Sequence, residues 1–194
     1  MELSTSGKRV HASLADPANN AIRSMLRILM GLTDHLDRSR RDLVYNIRDV
    51  SSSQAGFAVP DRCEASVDLH LPAQSPVGEI AAELEEVVAA TLGEGHEVRD
   101  VLAFVTIHAG YEIPDKGWFP EVLREAYLRR GLPWSPGAFR SHSDANLLWA
   151  EGIRPVILGP GQLERAHSQD EGVSFDQVAQ AAELYLDALH SLSA

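Results

Sequence analysis

The 194-residue chain carries 17 basic against 28 acidic side chains, a formal net charge of −11. That balance argues against nucleic acid or an anionic membrane as a partner, since both are bound through clustered Lys and Arg, and the one basic run, Arg38, Arg40 and Arg41, is flanked by Asp37 and Asp42. Hydrophobic residues make up 44%, enough for a sizeable core, but no stretch approaches a membrane span and residues 1–13 hold no signal-like apolar segment; the single cysteine, Cys63, excludes an internal disulfide and fits a reducing, cytoplasmic compartment.

Residues 8–13 form a weakly marked strand candidate, preceded by Gly7 and stopped by Asp16-Pro17. A helix is expected over 17–36, because Ala18, Ala21, Ile22, Met25, Leu26, Leu29 and Leu32 recur at helical spacing and Pro17 suits a first helical turn. Residues 43–50 read as a strand and 51–56 as a turn. The clearest strand is 63–71, where Cys63, Ala65, Val67, Leu69 and Leu71 alternate with Glu64, Ser66, Asp68 and His70, giving one buried and one wet face. Ser75 reads as the cap of a helix that begins at Pro76, carries Val77, Ile80, Ala81, Leu84, Val87, Val88 and Leu92 as its apolar stripe, and ends at Gly93 and Gly95. Residues 98–107 are apolar enough for a buried strand. The order strand, helix, strand, strand, helix, strand is that of a ferredoxin-like split βαβ unit, an antiparallel sheet with both helices on one face.

After Gly110 the pattern changes. Phe119, Val122, Leu123, Ala126 and Tyr127 make a helical stripe closed by Gly131, and residues 132–137 form a Pro- and Gly-rich loop. Asp144 can cap a short helix ending at Gly152. Residues 155–158 read as a short buried strand broken by Gly159-Pro160-Gly161, and a last helix places Phe175, Val178, Ala182, Tyr185, Leu186 and Leu189 on one side. These elements suggest α/β construction with few strands for its helices. The fold class expected is therefore α+β: a ferredoxin-like domain over 1–108, followed over 109–194 by a part built in α/β fashion.

Three polar clusters could carry chemistry. Ala166-His167-Ser168-Gln169-Asp170-Glu171 follows a glycine loop just past a strand end; His167 can be a zinc ligand with a nearby carboxylate orienting its other nitrogen, or a loop histidine with Glu171 as a helix-start charge. Ser141-His142-Ser143-Asp144 can hold a metal through His142, although a helix cap at Asp144 explains it better. His11, followed by small residues, can reach a neighbouring subunit or be an ordinary surface histidine. No nucleophile elbow, Walker loop or paired-Cys motif is present, and Cys63 sits on an apolar strand face.

Together these clusters resemble the co-catalytic zinc hydrolases that include acetylornithine deacetylase, succinyl-diaminopimelate desuccinylase and carboxypeptidase G. The likeness is carried by His11, Pro17, Asn20 and Ala21; by Val59-Pro60 followed by Val67-Asp68-Leu69-His70 and Pro72; and by Ser143-Asp144-Ala145, Gly152-Ile153, Pro155-Val156, Leu158-Gly159-Pro160-Gly161 and Ala166-His167-Ser168-Gln169-Asp170-Glu171, in that order. The resemblance implies that residues 1–108 are a lid and dimerisation domain and that 109–194 are the C-terminal α/β portion of a metallohydrolase catalytic domain. It implies that His167 is a metal ligand, that His11 reaches across a homodimer to steady the partner's tetrahedral oxyanion, and that His70, Ser143, Asp144 and Gly159 lie at the substrate. It also implies two zinc ions per active site and a small acylated amine or peptide as substrate.

Two residues depart from the family pattern. Phe57 stands where Asn is frequent, and His70 where Arg is usual, and those two residues typically hold a substrate carboxylate. Neither replacement offers the charged bidentate fork of Arg, so a neutral or differently placed substrate group is expected. The larger departure is that the family's N-terminal half, with its His-x-Asp ligand, bridging aspartate and catalytic glutamate, has no counterpart here. One ligand cannot hold an activated water. The 194 residues alone are therefore expected to be inactive, to bind zinc poorly and to need that N-terminal catalytic half. The alternative is a non-catalytic ferredoxin-like module for dimerisation or small-molecule binding.

Overall fold

Leu3 and Thr5 are buried on one face of a short strand, β1 (Glu2–Ser6), in the computed structural model, which describes residues 1–54, 56–92, 98–105 and 110–192. The strand expected over 8–13 is instead a loop with a 3-10 turn, Ala12–Leu14. Thr5 hides the true strand from a polarity reading, because its hydroxyl is buried by donating to the Ala21 carbonyl at 2.8 Å. Helix α1 (Ala21–Ser39) begins later than Pro17: Pro17–Asn19 forms a separate 3-10 turn capped by Asp16, and Asn20 then accepts from the Arg23 N–H at 3.0 Å as the helix cap. Its buried stripe is Ala21, Met25, Ile28, Leu29, Leu32 and Leu36, while Leu26 is half exposed.

Strands β2 (Val44–Ser52) and β3 (Arg62–His70) form an antiparallel hairpin running from Val44 opposite His70 to Ser52 opposite Cys63, with an irregularity between Ile47 and Asp49. On β3, Cys63, Ala65 and Val67 are buried, as the alternation requires. Helix α2 (Val77–Thr91) buries Ile80, Leu84 and Val88. Ser75 does not cap it: the Ser75 hydroxyl donates to the Pro72 carbonyl at 2.8 Å, and Pro76 holds the cap position without a side-chain bond. The expected stops Gly93 and Gly95 lie outside the described residues. Where a strand was expected over 98–107, the chain makes one helical turn, α3 (Val98–Val101), and a two-residue strand, β4 (Leu102–Ala103); residues 106 and 107 lie outside the described set. The sheet order β2-β3-β1-β4, antiparallel throughout, is the ferredoxin-like topology.

By contacts the chain divides into two units, Met1–Tyr111 and Glu112–Ala194. The boundary expected between 108 and 109 falls outside the described residues. In the second unit, α4 (Trp118–Arg129) packs on α6 (Phe175–Leu192) through Leu123 and Ala126 against a face where Ala181, Leu184 and Ala188 are buried. That face is not the stripe expected from sequence: Phe175, Val178, Tyr185, Leu186 and Leu189 all stay substantially exposed. The helix is apolar on two sides, and the small residues Ala181 and Ala188 allow the close approach that selects the buried one. Arg130 fixes the pairing by ion pairs to Glu183 and, at 2.7 Å, to Asp187. Helices α4 and α5 (Ala145–Ala150) both end in Schellman turns, with Gly131 and Gly152 at φ of 65° and 80°. Residues 155–158 form no strand and are at most half-buried, since among the described residues of this unit no strand lies beside them to form a ladder. No helix of the described residues is long and apolar enough to cross a membrane.

Candidate functional site

His11 sits at the head of the 3-10 turn Ala12–Leu14, on a loop tied to the tip of the β2–β3 hairpin. The Ala12 N–H donates to the Phe57 carbonyl at 2.8 Å, the Val59 N–H to the Val10 carbonyl at 2.8 Å, and His11 bridges Ala58. The Ser13 N–H donates to His11 Nδ1 at 3.3 Å, and the Ser13 hydroxyl lies 2.8 Å from the same nitrogen. With Nδ1 engaged by Ser13, Nε2 is the ring nitrogen left to face other groups. The imidazole is exposed, and Phe57 beside it is 88% exposed.

His70 ends β3 on the wet face, opposite Val44. Phe57 lies beyond the other end of the same hairpin. Eight residue steps of strand separate Arg62 from His70, about 26 Å at the usual rise. Within one copy, the two residues that depart from the family pattern are therefore not brought together.

In the second unit, Asp144 occupies the cap position of α5 but its side chain makes no cap bond; its carbonyl accepts from the N–H groups of Leu147 and Leu148 instead. The Ser143 hydroxyl oxygen is enclosed and has no hydrogen-bond partner among the described residues. Gly159 lies beneath Tyr185, whose hydroxyl donates to the Leu158 carbonyl at 2.8 Å and so tethers the glycine loop to α6. Ser174 and Gln177 form a reciprocal capping box at the start of α6, and with Gly161, Gln162, Arg165 and Val173 they line an open groove of ≈ 390 Å³.

His167 is exposed and has a backbone φ of +60°, one of two non-glycine residues described in the left-handed region. Its N–H donates to the Glu171 carboxylate at 2.9 Å. Glu171 thus holds the backbone of His167. The Ser168 hydroxyl donates to the Arg165 carbonyl at 2.7 Å and closes the turn on the other side. Sequence reading missed this contact, although a carboxylate four residues after a histidine in a turn was a visible signal for it.

Among the described residues, no group of three or more His, Cys, Asp or Glu side chains is placed to hold a metal ion. A two-zinc centre therefore does not fit within these residues alone, and His167 stands as a single donor. Cys63 is buried, and burial pushes its thiol up from the ordinary value, which makes it a core residue rather than a nucleophile.

Residues 1–96 match the family model described as the peptidase dimerisation domain. The chain is 23% identical over 209 residues to the N-formyl-4-amino-5-aminomethyl-2-methylpyrimidine deformylase of Bacillus subtilis (strain 168), an alignment covering 94% of this chain and 48% of that protein. Its fold is similar to that of AtUAH in complex with glyoxylate (TM-score 0.76, 15% identity, 99% of this chain and 46% of that one). It is also similar to a tripeptidase from Staphylococcus aureus subsp. aureus Mu50 (TM-score 0.69, 19% identity, 98% and 50%). The chain thus spans about half the length of the proteins it matches.

Proposed function

We propose that this chain, whose residues 1–96 match the family model described as the peptidase dimerisation domain, is the lid and C-terminal portion of a homodimeric metallohydrolase of N-acyl amide or peptide bonds. The observation that carries the reading is the His11 loop, which holds an exposed imidazole on main-chain bonds to the hairpin tip with Nδ1 engaged by Ser13. When water adds to an acyl carbon, the carbonyl oxygen gains charge that was absent in the ground state. A positioned donor stabilises that charge selectively, and removing one such donor costs about 10²–10³ in rate. His11 supplies it to the site of the partner subunit.

Edge strand β2 supports the two-subunit arrangement. Its exposed apolar residues Val44, Ile47 and Val50 lie on the outermost strand of the sheet. Antiparallel pairing of two such edges sets the Val44 end of one copy beside the Ser52 end of the other. His70 of one copy then lies on the same side as His11 and Phe57 of its partner, although within a copy these are far apart.

His167 is proposed as one ligand of a two-zinc centre whose remaining ligands come from a catalytic half outside these 194 residues. Ser143, Asp144 and Gly159 are proposed at the substrate side. The replacement of Asn and Arg by Phe57 and His70 supports a substrate without an α-carboxylate. In keeping with this, the Bacillus subtilis relative is named for a formamide on an aminopyrimidine, a name with no carboxyl group in it. A cytoplasmic location is proposed from the lone reduced cysteine.

A second reading, a non-catalytic ferredoxin-like module for dimerisation or small-molecule binding, is favoured by the lack of converging ligands among the described residues. The purified chain is expected to sediment as a dimer, to hold no zinc tightly, and to release no amine from an N-formylated amine. Turnover by this chain alone with zinc bound overturns the proposed division of labour. Supplying a polypeptide with the remaining ligands separates the two readings. Activity that then appears, vanishes in His167→Ala and falls about 10²–10³-fold in His11→Ala supports the enzyme. A stable dimer with no rescue supports the module.

A further inference from the structure

We infer that Glu171 is a positioning residue that holds the His167 backbone in the left-handed conformation from which its imidazole is presented, before any partner or ligand is engaged. The inference rests on the reading of His167 as the working imidazole of this chain, and adds what fixes it. The left-handed conformation at φ +60° is unfavourable for a residue with a Cβ, so something must offset it. The offset is visible. The Glu171 carboxylate accepts from the His167 N–H at 2.9 Å, a charge-assisted bond to an amide that the turn would otherwise leave to water. Around it the Ser168 N–H and hydroxyl both donate to the Arg165 carbonyl, at 3.2 and 2.7 Å, and the Glu171 N–H donates to the Ser168 carbonyl at 3.2 Å. The turn therefore closes on itself from both sides of His167. Because Glu171 acts on the backbone and not on the ring, both imidazole nitrogens are left to other contacts.

Nuclear magnetic resonance on the full chain tests this. Wild type should show the strong intraresidue HN–Hα contact of a positive φ at residue 167, and ring resonances displaced from those of a disordered histidine. Glu171→Ala should lose both and speed exchange of the His167 amide by about tenfold, whereas Glu171→Gln, which keeps an oxygen acceptor, should retain the positive φ. In a His167→Gly background, where the left-handed conformation carries no Cβ penalty, Glu171→Ala should leave the backbone signature of residue 167 unchanged. Loss in Glu171→Gln equal to that in Glu171→Ala, or an unaltered His167 amide in Glu171→Ala, overturns the inference. The role of His167 itself is read separately, from the His167→Ala arm of the complementation assay, so either claim can fail while the other stands.

Discussion

Gly7 marks the tightest backbone crossing described in the first unit. A Cβ there would lie 2.5 Å from the Asn19 carbonyl oxygen and 2.7 Å from the Ala21 nitrogen, both main-chain atoms that cannot rotate away. The Gly7 and Lys8 N–H groups also bond the Asp61 and Asn19 carbonyls, both at 2.9 Å, so β1, the start of α1 and the hairpin meet at this residue. Gly7→Ala should destabilise the chain by about 1–3 kcal/mol, read as a lower urea midpoint with unchanged slope. Sequence marks Gly7 only as a break before a strand; the crossing that demands glycine is long-range and leaves no local pattern. Single-residue chemistry is legible in the sequence only as a candidate, as at His167. It was not readable for Asp144, whose position fits a cap while its side chain does not cap, because capping depends on a side-chain torsion that sequence does not encode.

Between elements, the strongest polar link ties α1 to α2. The Glu83 carboxylate accepts from His35 at 2.5 Å and from Arg40 through two nitrogens, all three side chains being about three-quarters buried. Hydrogen bonding from Arg40 holds the Glu83 carboxyl below its ordinary 4.5, with burial opposing and His35 assisting. A carboxyl held down in the folded state contributes stability that is full above the ordinary value and is lost as pH falls through the folded one. Wild type should therefore lose stability below about pH 4.5, and Glu83→Gln should be less stable at pH 7 but flatter over that acid window, measured as urea midpoints across the range. In the second unit, Leu184 is 4% exposed and Leu186 54% exposed. Leu184→Ala should cost about 2–5 kcal/mol, whereas Leu186→Ser should fall within about 0.5 kcal/mol, by calorimetry or denaturant melts. Periodicity located α6 and its apolar stripe but not the second side that packs on α4, because it weighs bulk and ignores that two alanines let helices approach. The alternating run 63–71 was legible for the opposite reason: period two admits only one buried face.

For the molecule as a whole, a net charge of −11 means that two copies repel once they approach to within about the screening length, so self-association needs a directional surface to overcome it. β2 offers one, an outermost strand with Val44 and Val50 exposed at 66% and 48%. Exposed edge strands are ordinarily blunted by charges or bulges, and β2 confines both to its middle, at Arg48, Asp49 and the irregularity beside them, leaving Val44 and Val50 toward its ends. Putting lysines there is therefore a test of the interface that leaves the core alone. Val44→Lys/Val50→Lys should turn a dimer into a monomer in sedimentation velocity while the unfolding midpoint of the monomer, extrapolated to low concentration, stays within about 0.5 kcal/mol of wild type. The double variant also lowers the net negative charge by two per copy, which on charge alone should strengthen association. Loss of the dimer would thus be the local edge effect prevailing over the global one, and a dimer of unchanged affinity would place the interface on some other surface of the chain.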